Sequence, residues 1–270
     1  MKDLKTGTQK GQNTRESDLK QFINTSLVDL VAKQIRSMIF AGDYLPGEKL
    51  VVRELSETLG VSHTPVKDAL NRLVSEDLVE AIPNKSMVVK SFTNNELVER
   101  LGVRLMCELF YAGEIIRSAR KDDTLVADLE ACLTAMEEAI SDDASIDYEA
   151  WVSNETRFHR RYMMAAQNQS LVTVYNGLNT NEFTFFAYLH NEHKPLKRPI
   201  FENNLVEHRE IMEALKALDQ ARFVKAIAWH VLHACEDYNV DEEAQLRIDQ
   251  IKRLAECHLD GQGKPSQKIS

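Results

Sequence analysis

The chain has 270 residues, 43% of them hydrophobic and 28% charged, a composition that excludes a fibrous, low-complexity or largely disordered protein. Its formal net charge of −9 looks unfavourable for a polyanionic partner until the charge is located, because residues 1–90 hold 13 Lys and Arg against 12 Asp and Glu. The acidic excess therefore falls in the remainder, and a near-neutral first segment can still present a basic face.

Residues 1–24 are rich in Lys, Gln, Asn, Thr and Gly without apolar periodicity, which predicts a mobile arm. They also lack the apolar stretch of a signal peptide. From Ser26 the pattern changes. Ser26 and Asp29 suggest a capping pair, and Leu27, Leu30, Val31, Ile35, Met38 and Ile39 recur at helical spacing up to Gly42. A turn at Pro46-Gly47 precedes a second short helix through Val52, Leu55 and Leu59, ended by Gly60. Ser62 is placed to cap a third helix that takes Pro65 in its first turn and continues through Val66, Ala69, Leu70 and Leu73. Val79 to Ile82 and Met87 to Lys90 then read as two short strands around the turn Pro83 to Ser86. Two close helices with a Gly-containing corner, the second followed by a hairpin, make a winged helix-turn-helix.

From Thr93 onward the apolar residues recur at three and four spacing. The predicted helices are Asn94 to Ser118, Asp122 to Ser141, Tyr148 to Gln167, Leu171 to Leu189, Asn204 to Ala217, Gln220 to Tyr238 and Glu242 to His258. The expected fold is mostly α: an arm (1–24), a winged helix-turn-helix (25–91), an antiparallel bundle of six to seven helices (92–258) and a tail (259–270). Cys107, Cys132, Cys235 and Cys257 show no C-x-x-C spacing and fall inside these helices, so they are expected to be reduced and buried. The longest apolar runs, such as Phe185 to Leu189, are far too short to cross a bilayer. A cytoplasmic protein with no membrane partner is expected.

The stretch from Val31 to Lys90 resembles the DNA-binding domain of the GntR family. The likeness rests on Ile39-x-x-Gly42-x-x-x-Pro46-Gly47-x-x-Leu50, Arg53-Glu54-Leu55, Leu59-Gly60-Val61-Ser62, Thr64-Pro65-Val66 and Ala69-Leu70-x-x-Leu73. The helical remainder resembles the sensor domain of the FadR subfamily, the FCD domain, through Phe158-His159 with Asn168, His208-Arg209-x-Ile211-x-x-Ala214, and His230. The resemblance implies a ligand-responsive regulator that binds operator DNA as a homodimer. Recognition helices of this type insert their N-terminal turn in the major groove, which selects His63, Thr64 and Lys67, with Arg53 from the preceding helix. Family members usually carry arginine at the His63 and Lys67 positions, and lysine cannot make the forked contact of arginine with guanine. In the wing, Ser86 stands where the family favours glycine, and Asn84 and Lys85 are candidate minor-groove or phosphate contacts.

Glu155 and His159 lie four apart, so both project from one helix face at a spacing that suits two ligands of one metal ion. The resemblance adds His208 and His230 as further ligands. It also implies an Asp where Glu155 stands, with Asn154 offering a neighbouring oxygen. Three imidazoles and a carboxylate suit a divalent ion such as zinc or nickel. Arg104 occupies a position where the subfamily commonly has an arginine facing the cavity; it would fork onto a small organic acid effector, or else pair with Glu108. Two other readings stay open: a metal-dependent enzyme acting on a small carboxylic acid, and a regulator whose metal is structural or is itself the signal. The first leaves residues 1–90 without a purpose, and no general base or oxyanion device accompanies the cluster.

Overall fold

A computed structural model describes residues 27–82, 86–91, 93–142, 146–181, 184, 198–235 and 239–257. The chain divides into two compact units between residues 91 and 92.

In the first unit, helix α1 (residues 27–40) buries Val31, Ile35 and Ile39 along one face. Asp29 is engaged by Arg72 from the third helix, and Ser26 lies outside the described residues. The chain turns at Gly42 and Gly47, with φ of 84° and 80°, values that glycine adopts without steric cost. Helix α2 (Val52–Leu59) ends at Gly60, whose left-handed φ of 66° lets its N–H donate to the Ser56 carbonyl. Helix α3 (His63–Ser75) follows after two residues and buries Pro65, Val66, Ala69, Leu70 and Leu73. Ser62 holds the N-cap position in extended conformation, but its side chain makes no capping bond. The wing is larger than the expected hairpin. Strands β2 (Val79–Ile82) and β3 (Ser86–Val89) pair antiparallel, and β1 (Lys49–Leu50) adds a third strand on the other side of β3, giving the order β1-β3-β2. Asn84 and Lys85 fall outside the described residues.

The second unit holds helices joined by turns, with no strand among its described residues. Helix α4 (Asn94–Ala119) opens with a capping box in which Thr93 and Glu96 satisfy each other's backbone N–H groups. Then come α5 (Leu125–Ala139), α6 (Tyr148–Met164), α7 (Gln169–Leu178), α8 (Arg198–Lys216), α9 (Gln220–Cys235) and α10 (Glu242–Cys257). Helix α5 packs on α6, and α9 packs on α4, α8 and α10. Two expected boundaries are corrected. The helix expected over Leu171 to Leu189 stops at Leu178, where Asn179 turns left-handed with φ 47°; residues 180, 181 and 184 are again helical. Helix α8 starts six residues earlier than Asn204, at Arg198, because Pro199 in a first turn gives up only an N–H that has no helical partner. Cys107, Cys132 and Cys235 are buried free thiols, and burial pushes those of Cys107 and Cys132 up, away from the reactive thiolate. No helix among the described residues is long and apolar enough to cross a membrane.

The angle of α6 matters because that helix carries the site described below. Arg161 near its C-terminal end bonds Asp128 of α5 at 2.6 Å and Asp122 at 2.7 Å. The Arg161 hydrogen bond, with help from Thr124, holds the Asp122 carboxyl down at about 2. A carboxyl held down in the folded state contributes stability above its unfolded value, lost as pH falls through the folded one. Asp122→Asn is therefore expected to cost up to about 1 kcal/mol at pH 7, the pair being partly exposed. In thermal melts that difference should shrink below pH 4 and vanish only below pH 2.

Candidate metal and effector site

Glu155, His159 and Tyr162 share one face of α6 at i, i+4 and i+7, and all three are buried. That face meets His208 of α8, His230 of α9, and Arg104 and Glu108 of α4, all buried too. One ligand atom from each of Glu155, His159, His208 and His230 lies within 4.8 Å of the others. Asn154 is placed differently: its amide donates to the Ala150 carbonyl at 2.8 Å, so Glu155 is the carboxylate that joins the cluster.

The hydrogen bonds fix the tautomers of His208 and His230. His208 Nδ1 lies 2.8 Å from the Asn204 carbonyl oxygen, which can only accept, so Nδ1 carries the proton. His230 Nδ1 donates likewise to Glu207 Oε2 at 2.9 Å. For His159, Tyr162 donates its hydroxyl proton to Glu108 Oε1 at 2.5 Å, and the same hydroxyl lies 2.8 Å from His159 Nδ1. The Arg104 Nη2 donor stands 2.9 Å from that Nδ1 and 3.0 Å from Nε2, so it can serve whichever of the two nitrogens is unprotonated. His208 and His230 present an unprotonated Nε2, and His159 Nε2 faces that of His208 at 2.9 Å, a separation satisfied by a proton on His159 Nε2 or by a cation shared between the two rings. Burial, with the Arg104 charge near His159 and His230, holds all three imidazoles well below their usual protonation range. Neutral imidazoles with their outer N–H groups anchored are the form that binds metal. The donor set thus fits a divalent cation held by Glu155, His159, His208 and His230.

Arg104 closes one side of the cluster. Its Nε bonds Glu108 at 3.1 Å, its Nη1 bonds Asn181 at 2.9 Å, and its Nη2 lies nearly equidistant from the two His159 nitrogens, at 2.9 and 3.0 Å. Burial opposes the guanidinium charge, but Glu108 more than offsets it and keeps Arg104 firmly protonated. Tyr175 also donates to Glu108 Oε1, while Glu108 Oε2 is buried without a hydrogen-bond partner among the described residues. Burial beside Glu108 raises both tyrosine hydroxyls well above their usual range, so they act as neutral donors. Glu207 plays a comparable part at the other end, holding His230 and the half-exposed His233 on its two oxygens. Sequence reasoning did not single out Tyr162, Tyr175, Asn181, Asn204 or Glu207. The i+3 spacing of Tyr162 from His159 was the one available signal.

The other candidates lie in the first unit. His63, Thr64 and Lys67 are exposed on the first turn of α3 and the turn after it, opposite its buried Val66, Ala69 and Leu70. Arg53 is exposed on α2, 3.8 Å from Glu57.

Comparison with known proteins agrees with this division. Residues 27–89 match the family described as bacterial regulatory proteins, gntR family, and residues 99–233 match the FCD domain. The HTH-type transcriptional regulator YdhC of Bacillus subtilis is 26% identical over 206 residues, 75% of this chain and 87% of its own. A gluconate operon transcriptional repressor of Bacillus licheniformis is 25% identical over 197 residues, 73% of this chain and 79% of its own. The solved structure of McbR/YncC from Escherichia coli shares the fold at a TM-score of 0.58 and 21% identity, covering 84% of this chain and 97% of that one. With a winged helix-turn-helix and an FCD domain following each other in one sequence, this chain belongs to the GntR family of bacterial regulatory proteins and is a transcriptional regulator of that type.

Proposed function

We propose that the chain acts as a homodimeric, metal-dependent repressor that releases operator DNA when a small organic acid binds beside the cluster of Glu155, His159, His208 and His230. The observation that carries this reading is the convergence of three buried neutral imidazoles, two with their Nε2 atoms 2.9 Å apart, on a buried carboxylate. Zinc and nickel both suit such ligands. A bound divalent ion would supply positive charge and a Lewis-acidic position for an oxygen ligand.

The groups around the cluster favour an anionic effector. Arg104 and Glu108 cancel, the histidines are neutral, and Glu155 offsets half of a divalent charge, with Glu207 one layer out behind His230. A carboxylate would fill an open position on the ion, and the Arg104 guanidinium is the group to fork onto it. The name of the similar gluconate operon repressor points to a hydroxy acid of the same chemical class. A second reading has support in the same residues: Arg104 is already bonded to Glu108 and Asn181, as in a site whose metal is purely structural. Thermal melts against a panel of small hydroxy and dicarboxylic acids, with and without chelation, separate the two. A chelation-sensitive rise in the midpoint supports the sensor, and no rise with any acid supports the structural metal.

At the DNA end, Arg53, His63, Thr64 and Lys67 are the proposed contacts, with Asn84 and Lys85 from the wing. Lys67→Ala is expected to weaken binding to the operator upstream of the regulated gene by roughly 10-fold, and to flatten the salt dependence by about one counterion if the contact is to phosphate. Unchanged affinity in fluorescence anisotropy at several salt concentrations would remove Lys67 from the interface.

A further inference from the structure

The three imidazoles of the cluster are supported from behind by different chemistry. Behind His208 stands a backbone carbonyl, that of Asn204, and beside Nδ1 of His159 stands the Tyr162 hydroxyl. His230 is backed by a full negative charge, its Nδ1 donating to Glu207 Oε2 at 2.9 Å. The ring thus lies between a carboxylate on one nitrogen and the cluster on the other. A carboxylate in that place fixes the orientation of the ring and raises the basicity of the nitrogen that faces a metal.

Glu207 is in turn held from outside. Its Oε1 lies 2.6 Å from Nδ1 of His233, so one carboxylate engages two histidines of α9 on its two oxygens. Positions 230 and 233 share a helix face, and α8, packed against α9, brings Glu207 opposite both. Glu207 directly precedes His208, so one turn of α8 supplies a ligand and the support of another ligand. The three side chains step outward from the cluster, at 3% exposure for His230, 21% for Glu207 and 46% for His233. The Trp229 ring flanks the outermost of them, 5.4 Å from His233 between centroids.

We propose that Glu207 is a positioning residue for the metal, acting through His230, and that His233 is the brace that keeps its carboxylate in line. The pair sets how tightly the ion is held although neither residue touches it. This inference rests on the metal reading above and extends it to two residues outside the cluster.

Cobalt(II) added to the metal-free, full-length chain against a competing chelator tests it, giving an affinity together with a visible spectrum that follows ligand geometry. Glu207→Gln, which leaves a neutral acceptor behind His230, is expected to raise the cobalt dissociation constant roughly 10-fold, and Glu207→Ala roughly 100-fold. Both spectra are expected to differ from that of wild type. Should Glu207→Ala fail to fold, Glu207→Gln, an almost isosteric change, still decides. His233→Ala is expected to weaken binding by a smaller factor than either. His233→Asn, whose amide N–H stands close to where Nδ1 stood, is expected to restore the wild-type value. A purely structural Glu207 would lower the melting midpoint of the metal-free chain and leave the cobalt affinity and spectrum unchanged, which would overturn the proposal. His233→Ala binding as tightly as wild type, or His233→Asn binding as weakly as His233→Ala, would overturn the brace. A wild type that takes up no cobalt would overturn the metal reading and this inference with it, whereas a wild type that binds while both Glu207 variants match it would overturn this inference alone.

Discussion

His208→Ala is expected to empty the buried cluster: metal measured by mass spectrometry should fall from about one ion per chain to about a tenth of that or less, as expected when a ligand itself is lost rather than an outer partner. His208 is fully buried, its Nδ1 is anchored on the Asn204 carbonyl, and its Nε2 lies 2.9 Å from that of His159. Alanine removes that donor and leaves His159, His230 and Glu155 with one face open. Chelation should lower the melting midpoint of wild type, since an ion that binds the native state selectively stabilises it by mass action. The variant should melt at one temperature with or without chelator. Any organic-acid shift should vanish with the metal, whereas operator affinity without effector should stay within a few fold, His208 being remote in sequence from the helix-turn-helix. Equal metal content in variant and wild type would discard the site.

Much of this arrangement was legible in the sequence, for identifiable reasons. The short helices of the first unit announce themselves because each break is chemical: glycine at positions 42, 47 and 60, each with positive φ, and Pro65 in a first turn. The i, i+4 pair Glu155 and His159 required only the helical period, and the structure brings both together with His208 and His230. Strand β1 escaped because two residues, Lys49 and Leu50, are too few to show an alternation. Its partner β3 lies almost 40 residues later, and strand pairing leaves no local mark. The break at Asn179 escaped because the apolar spacing continues through it, while the left-handed turn depends on a residue type that helices also tolerate. The outer layer of the site was hidden for a third reason. Tyr162, Tyr175 and Glu207 stand on apolar helix faces where a tyrosine or a glutamate reads as core or rim, and only tertiary packing aims them at a histidine or at Glu108.

Arg104→Met is expected to destabilise the second unit more than any surface change, by about 3–5 kcal/mol, the usual cost of removing one partner from a buried ion pair. Glu108 is fully buried, and Oε2 already lacks a hydrogen-bond partner among the described residues. Without the guanidinium, its remaining donors are the hydroxyls of Tyr162 and Tyr175 on Oε1, too few to hold a full charge away from water. A fall of roughly 10 °C in the melting midpoint corresponds to that loss for a unit of this size. The double variant Arg104→Met with Glu108→Gln should recover a large part of it, because the amide oxygen still accepts from the tyrosines and no unpaired charge is buried. If the two changes simply add, the pair is not coupled and the network is misread. The double variant also isolates function from stability. It keeps the three imidazoles and Glu155, so metal content should persist, with affinity lowered about 10-fold by the weaker acceptor behind Tyr162 and His159. It lacks the cation proposed to receive the effector carboxylate, so a stable, metal-loaded protein that no longer answers an organic acid would place recognition on Arg104. A double variant that still answers the acid would move recognition to the metal alone.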